Sequence, residues 1–396
     1  MTSYAARYGL DAEAEAWRER AARFAETVLA PRAREADRAG RLDDDVIPAL
    51  GAAGLIGAAL PAEIGGGGAS ALAAVAIAEE IGAVDGSVRG FLAVQAGLVA
   101  STIVRHGSDE QKARWLPGLL EGRQVGAFAL TEPEAGSDVG ALRTRLVHDG
   151  EHLVLDGEKV WITNGGSADV LIVFASEIPE ARTKGLSAVV VTPDAPGVSR
   201  EPLAGQPLGH RASDHARLRF SGVHLRKQDR LGAPGQGFAA AMGGLAVGRL
   251  NVAAGAVGIQ RACVDLCVEF ARTRRQFGQR VGDFQQVGAE LAEMAVRLET
   301  SRLLVHHAAR LRDAGHEDTQ AVALAKLHAT EAAVTTTTRA IQLHGSRGYS
   351  DEVAVGRHHR DALALTIYEG TSHVQRVIVA RQLLGRDTGA PGKDTA

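Results

Sequence analysis

The spacing of apolar residues changes period twice along this chain, and those two changes limit the possible folds more than any single motif. Over 11–29, Trp17, Ala21, Phe24 and Val28 recur at four, three and four residues, which is the spacing of one helix face, and Pro31 stops the run. A second helix is predicted from the acidic turn Asp43-Asp44-Asp45, with Pro48 in its first turn and Val46, Leu50 and Ala53 on one face. Ser70 caps a small-residue helix to about 83, and another spans about 88–106. Ser108 with Gln111 is a capping box for a helix that Pro117 closes or bends. At about Gln124 the pattern changes to short β-rich runs. Segments 142–148 and 151–155 flank the hairpin signal Asp149-Gly150, and 159–163, 169–175, 186–192, 216–220 and 223–226 continue the series. Helical spacing returns after Gly235-Gln236-Gly237, over about 238–273, 285–314, 319–343, 352–365 and 372–384. The expected fold is therefore α+β: an N-terminal helical domain (1–122), a middle barrel or sandwich of seven or eight strands (123–236), a C-terminal helical bundle (237–385) and a disordered tail (386–396).

Composition removes several classes of function. With 396 residues, 45% hydrophobic and 23% charged, the chain has the make-up of a soluble globular protein. A net charge of -3 and the lack of a basic stripe interleaved with aromatics argue against nucleic-acid binding. The most apolar runs, 170–174 and 186–191, are strand-length, so no membrane span is expected. The N-terminus runs into the acidic segment 11–15 without an apolar signal core, which makes cytoplasm the expected location. Cys263 and Cys267 share a helix face without further ligands, so buried thiols suit them better than a metal or redox pair. The run Gly65-Gly66-Gly67-Gly68 lacks the Lys-Ser/Thr of a phosphate loop and reads as a flexible connection.

Chemistry is expected at Tyr368-Glu369-Gly370-Thr371, between two predicted helices. Gly370 permits a sharp turn, from which the Glu369 carboxylate can enter a cleft. The plainer alternative is a helix end at Gly370 and a cap at Thr371 or Ser372, with Glu369 exposed.

Four motifs, in this order, resemble the acyl-CoA dehydrogenase family of flavoenzymes over about 10–385. They are Phe128-Ala129-Leu130-Thr131-Glu132-Pro133-Glu134-Ala135-Gly136-Ser137-Asp138, Trp161-Ile162-Thr163-Asn164-Gly165, Arg274-Arg275-Gln276-Phe277-Gly278 followed by Gln285, and Tyr368-Glu369-Gly370-Thr371. The resemblance implies FAD. Trp161 would lie against the flavin ring, and Thr163 would bond near its reactive nitrogen. Leu130 and Thr131 would hold the pyrimidine edge, and Gly136 would let the main chain approach. Phe128, Ser137, Phe277, Gln285, Gly345, Ser346, Thr371 and His373 match other flavin or substrate contacts. Arg274 and Gln342 would reach a neighbouring subunit's flavin, which implies a homo-oligomer, a dimer or tetramer. Taken singly, Trp161 would read as core, Arg274 as a solvated helix face and Gly136 as a turn.

The implied reaction oxidises the Cα–Cβ bond of an acyl thioester, with Glu369 as the base and electron-transfer flavoprotein as the electron acceptor. The substrate carbonyl would be polarised by the Glu369 backbone N–H and a flavin hydroxyl. Some relatives carry the base one residue before the arginine matched by Arg249; here that residue is Gly248, which leaves Glu369 as the candidate. Tyr368, Gly370, Arg249 and Ser137 would contact substrate. Segment 85–95, containing Arg89, resembles the glutaryl-CoA dehydrogenase branch and the dehydrogenases of methoxymalonyl-type extender units. Arg89 would then meet a distal carboxylate or hydroxyl, or else bond a helix end or Asp85. Ala246 replaces an aspartate that helps hold the CoA arm, Gly345-Ser346-Arg347-Gly348 departs from Gly-Gly-x-Gly, and Leu225-Arg226 replaces Val-Pro. The expectation is a short polar acyl group on CoA or an acyl carrier protein. An oxygen-using oxidase or monooxygenase, or a non-catalytic flavin-bearing scaffold, are the alternatives.

Overall fold

The computed structural model describes residues 4–385, so the tail expected over 386–396 lies outside the described residues. Helix α1 (Ala12–Phe24) is capped by the Asp11 carboxylate, and α2 (Ala71–Gly82) by the Ser70 hydroxyl. Helix α3 (Gly86–His106) is capped by Asp85 and winds as a π-helix over Ala93–Ala100. Helix α4 (Asp109–Leu120) carries the Ser108/Gln111 capping box, and Pro117 stays inside it instead of ending it.

Eight strands form one mixed sheet: β1 (Gly126–Ala129), β2 (Arg145–Asp149), β3 (His152–Thr163), β4 (Val170–Ser176), β5 (Leu186–Val191), β6 (Val198–Pro202), β7 (His215–Arg226) and β8 (Arg230–Leu231). Their order is β6-β7-β3-β2-β4-β5-β8, with β1 on β4; β1 and β2 run parallel to β4. Two differences from the sequence reading share one cause. Segment 159–163 continues β3, and 216–226 is a single strand, because the β3–β7 ladder absorbs its irregularities as register shifts rather than breaks. Strands β1, β6 and the two-residue β8 were not anticipated. All of β4 is buried. Val170, Ile172 and Phe174 pack toward the helices, while Leu171, Val173 and Ala175 share a core with Leu218 and Phe220 of β7. The sheet thus curls on itself.

The C-terminal helices are α5 (Gly237–Thr273), α6 (Gln285–Asp313), α7 (Thr319–His344), α8 (Val355–Leu365) and α9 (Ser372–Leu383). Helices α2 and α5 meet backbone to backbone. A Cβ on Gly82 would lie 2.9 Å from Gly255 Cα, and one on Gly258 would lie 2.2 Å from the Glu79 carbonyl oxygen. That approach drives Glu79 into the interior, where its carboxylate meets Arg302 of α6 at 2.7 Å and Arg261 at 3.2 Å. Helices α3 and α5 have the length and hydropathy to cross a membrane, and 78% and 61% of those windows are buried inside the protein. Their apolar character comes from Ala, Gly and Val spread around the helix, so a search for continuous apolar runs passes over it. Cys263 and Cys267 are buried, and burial pushes both thiols up, Cys267 to about 12.

Burial alone would raise the Glu79 carboxyl, but Arg302 and Arg261 overcome it and hold it below the ordinary glutamate value. Its stabilising contribution is therefore full above that ordinary value and is lost as pH falls through the folded one. Glu79→Ala is expected to cost about 3–5 kcal/mol at neutral pH, because it strips the buried Arg302 of its closest carboxylate and leaves only the longer Glu299 contact, at 3.4 Å. In urea melts the gap to wild type should narrow as the pH is lowered past the glutamate range.

Candidate active site

The loop between α8 and α9 is pinned by its backbone carbonyls. Lys326 of α7 donates from Nζ to Tyr368 O at 2.8 Å and to Gly370 O at 2.6 Å. Arg249 Nε donates to Glu369 O at 3.2 Å, and Gln375 Nε2 to Gly370 O at 2.9 Å. Ser372 N closes the loop onto Thr366 O at 3.0 Å. These bonds hold Glu369 at φ 53° and Gly370 at φ 92°. Left-handed backbone suits glycine but is unusual for glutamate. Thr371 does cap α9, accepting from Val374 N at 3.2 Å. The capping alternative therefore holds for Thr371, and Glu369 does not project into solvent as that alternative required.

Glu369 Oε2 is shielded from water and has no hydrogen-bond partner. Burial raises the carboxyl above the usual glutamate range, against the charges of Arg89, Lys326 and Arg249. Its floor is α5: a Cβ built on Gly248 would sit 1.9 Å from Oε2. The two alternative base positions considered from sequence therefore compete for one space. Among the described residues no acceptor is found for the Glu369 amide N–H, which leaves it available to a ligand carbonyl.

Arg89, at 1% exposure, donates from Nη1 to Asn251 Oδ1 at 3.2 Å and from Nη2 to the Tyr368 hydroxyl. Its stem crosses α5 at Gly255, where a Cβ would lie 2.7 Å from Arg89 Cδ. Asp85 caps α3 through Val88 N and is not its partner. The Tyr368 hydroxyl also meets His210 Nε2 at 3.3 Å, and His210 N donates to Asp361 Oδ1 at 2.6 Å. Burial chiefly, with Arg89 nearby, pushes His210 down to about 3, so its ring is neutral.

The β domain brings its own segments to the same region. The shift between Lys159 and Ile162 in the β3–β7 ladder puts Trp161 at φ 60° and leaves it 60% exposed, so it is not a core residue. Val160 N donates to Thr131 O at 3.0 Å, and Lys159 Nζ to Leu130 O at 3.0 Å and to Glu132 at 2.7 Å. Thr131 thus lies against the end of β3 that carries Trp161 and Thr163. The Trp161 ring is 6.5 Å from His215, at the foot of the loop carrying His210. Open space surrounds a Cβ placed on Gly136, and Ser137 is exposed beside it. An exposed aromatic re-aimed by a bulge, free main chain at Gly136 and an unpartnered carboxylate oxygen fit a flat cofactor such as FAD between these elements. Phe128 instead packs inward, its ring 4.6 Å from Phe174.

A second set of the expected residues lies elsewhere. Arg274 ends α5, Phe277 is 93% exposed at a hairpin tip, and Gln285, Gln342, Gly345 and Ser346 are exposed near the far end of the bundle. Along α5, Arg274 is 26 residues from Gly248, about 39 Å of helix. His373 is exposed on α9. Arg347 pairs with Glu352 at 2.9 Å, and Ala246 O accepts from Arg312 at 3.1 Å.

Sequence reasoning missed Lys326, Gln375, Asn251, His210 and Lys159. Lys326 did leave a signal, since it falls in the helical stripe Val322, Ala325, Ala329, Ala333 that is otherwise apolar. Glu132 stood inside a quoted motif without a role.

A helical domain, a curled sheet and a helical bundle around a buried carboxylate and an exposed tryptophan define a flavin-dependent dehydrogenase scaffold. Family models match all three parts: acyl-CoA dehydrogenase N-terminal domain over 11–123, middle domain over 127–223 and C-terminal domain over 235–384. The chain is 37% identical over 376 residues to the short-chain specific acyl-CoA dehydrogenase of Clostridium acetobutylicum, covering 95% of this chain and 99% of that one. It resembles the solved glutaryl-coenzyme A dehydrogenase–glutaryl-CoA complex with TM-score 0.92 and 34% identity, over 98% of this chain and 99% of that one. The prolyl acyl carrier protein oxidase AnaB matches with TM-score 0.90 and 29% identity, over 94% and 99%. The chain belongs to the acyl-CoA dehydrogenase family, whose members are FAD-dependent oxidoreductases.

Gly248→Ala tests the floor of the site. The added methyl group should displace the carboxylate and lower kcat by about 100-fold, because a misplacement near 1 Å costs roughly that much. FAD content and thermal midpoint should stay near wild type.

Proposed function

We propose that this protein oxidises the Cα–Cβ bond of a short, polar or carboxylated acyl thioester carried on CoA or an acyl carrier protein, with Glu369 as the base. The observation that carries this reading is the buried, unpartnered Glu369 Oε2, held by a pinned backbone above Gly248. Glu369 takes the α-proton, and its backbone N–H, together with the cations around it, stabilises charge on the thioester carbonyl. FAD, when bound, supplies the two-electron acceptor for the β-hydrogen. Leu130, Thr131, Trp161 and Thr163 would hold its ring system. Burial serves the base by raising its proton affinity and excluding water.

Arg89 supports the carboxylated acyl group. It is a buried cation whose two hydrogen-bond partners, Asn251 and Tyr368, are both neutral, and an anionic ligand group would complete it. The second set of residues supports an assembly. Arg274, Phe277 and Gln342 stand too far along the bundle to share a cofactor with Glu369 of the same chain, so they would serve a neighbouring copy. Electron-transfer flavoprotein is the proposed acceptor.

The test is an anaerobic titration of the FAD-loaded protein with butyryl, octanoyl, glutaryl and glyceryl thioesters on CoA and on a carrier protein. Bleaching of the flavin band by one of them, lost in Glu369→Gln, is expected; a variant that still turns over would sink the assignment. Fast aerobic turnover with peroxide would favour the oxygen-using alternative. Arg89→Met should lower kcat/KM for the carboxylated substrate about 10- to 100-fold relative to butyryl. It also removes a cation that holds Glu369 down. The acid limb of kcat/KM, which rises as the base deprotonates, should therefore move to higher pH in that variant.

A further inference from the structure

We infer that Lys326 is a positioning residue for the base: its ammonium group clamps the two carbonyls that flank Glu369 and so sets where the carboxylate points. The inference rests on Glu369 being the base. An ammonium has three N–H donors. Two of them go to Tyr368 O and Gly370 O, one residue either side of Glu369, at 2.8 and 2.6 Å. Both carbonyls can converge on one nitrogen only because the chain between them turns through φ 53° at Glu369 and 92° at Gly370. The bonds and the unusual backbone thus require each other. Without the clamp, Arg249, Gln375 and Ser372 N still tie the loop, but the two carbonyls flanking Glu369 lose their shared donor, so Glu369 can relax toward an ordinary φ that rotates its side chain away from Gly248.

Lys326 is 1% exposed, on a buried helix face shared with Val322, Ala325, Ala329, Thr330 and Ala333, none of them charged. Methionine would fill the same length there with no charge to desolvate. What the lysine adds is therefore its donors and its charge, both directed at the loop. The groups that face it are Glu369 from the loop, Arg249 from α5 and Arg89 from α3. Burial, reinforced by the two arginines and opposed by Glu369, brings Lys326 down to about 8. Above that pH the neutral amine keeps two N–H groups but loses the charge that strengthens both bonds. Turnover should accordingly fall on the alkaline side as the clamp slackens.

The experiment compares Lys326→Met and Lys326→Gln with wild type as FAD-loaded holoenzymes, on a thioester that Glu369→Gln fails to oxidise. Lys326→Met is expected to keep its FAD and to hold KM within about 3-fold while kcat falls about 100-fold, the signature of misplacement rather than lost binding. Lys326→Gln, which retains two N–H donors without charge, should recover about a tenth of wild-type kcat and lack the alkaline limb near pH 8. Exchange of the α-hydrogen with deuterated water, read on a bound thioester with no oxidisable β-carbon, should slow in the same ratio as kcat. A Lys326→Met enzyme with unchanged kcat would overturn the inference. So would both variants losing FAD and thermal stability in parallel with activity, or an alkaline limb that persists in Lys326→Gln. Turnover by Glu369→Gln overturns the base assignment and the clamp together, whereas an inactive Glu369→Gln beside a fully active Lys326→Met overturns the clamp alone.

Discussion

Helix α5 lacks side chains where other elements need to touch it, and the arrangement of the site depends on that. Gly258 admits the backbone of α2, Gly255 admits both α2 and the stem of Arg89, and Gly248 admits the Glu369 carboxylate. Glycine in a helix interior weakens the helix by roughly 0.5–1 kcal/mol relative to alanine, so these positions cost local stability. The return is close approach, which brings Arg89 of α3, Arg249 of α5 itself and Lys326 of α7 around one loop. Any side chain at Gly248 would take the volume of the carboxylate oxygen. A side chain at Gly255 would do the same to Arg89.

That convergence places three cations about a single buried carboxylate. Desolvation pushes Glu369 up, and Arg89, Lys326 and Arg249 each push it down. A base for a weak carbon acid, the role proposed for Glu369, is served by raised proton affinity, and the three cations limit how far desolvation raises it. In the proposed reaction the same positive charge would favour the negative charge that grows on a thioester carbonyl as its α-proton leaves. Of the three, only Arg89 has its hydrogen bonds directed away from the loop backbone, to Asn251 and the Tyr368 ring hydroxyl. It is thus the cation whose charge remains open to a ligand.

How much of this could be read from the sequence depended on whether the relevant signal is local. Periodicity placed the long helices to within a few residues, since their apolar faces are written in consecutive turns. The three-part α, β, α order followed from the same signal. Strand boundaries were harder: Lys159 and Thr163 sit beyond a bulge in one long strand, and a bulge looks like a break when only one partner of the ladder is in view. Glu369 was legible through the glycine beside it and its family motif. Lys326 left only the signal of a lysine within a buried small-residue stripe, and its role could not be read until the loop that covers it, 43 residues on, is in place. Asn251, His210 and Gln375 were hidden for the same reason: each acts through a partner distant in sequence or through a backbone atom whose position only the fold defines.

Positive backbone φ at non-glycine residues has more than one cause here. Among the described residues the non-glycine positions with positive φ are Trp161, Asn164, Arg182, His210, Phe277 and Glu369. Phe277 with Gly278 forms the two-residue turn of the 275–280 hairpin, where left-handed φ is the ordinary geometry, so it needs no further account. Three of the others are restrained by hydrogen bonds reaching across the chain. Asn164 N is bound to Asp214 O at 2.7 Å and its side chain to Gly126 O at 3.0 Å, while His210 N is bound to Asp361 at 2.6 Å. Glu369 is held by Lys326 and Arg249 on three successive carbonyls. Trp161 lies in the register shift between paired strands. Such conformations persist only where the surroundings over-determine them. Here Trp161, Asn164, His210 and Glu369 all lie on segments that converge on one region, the region proposed to hold flavin and substrate, where ligand groups would have to be met at fixed positions.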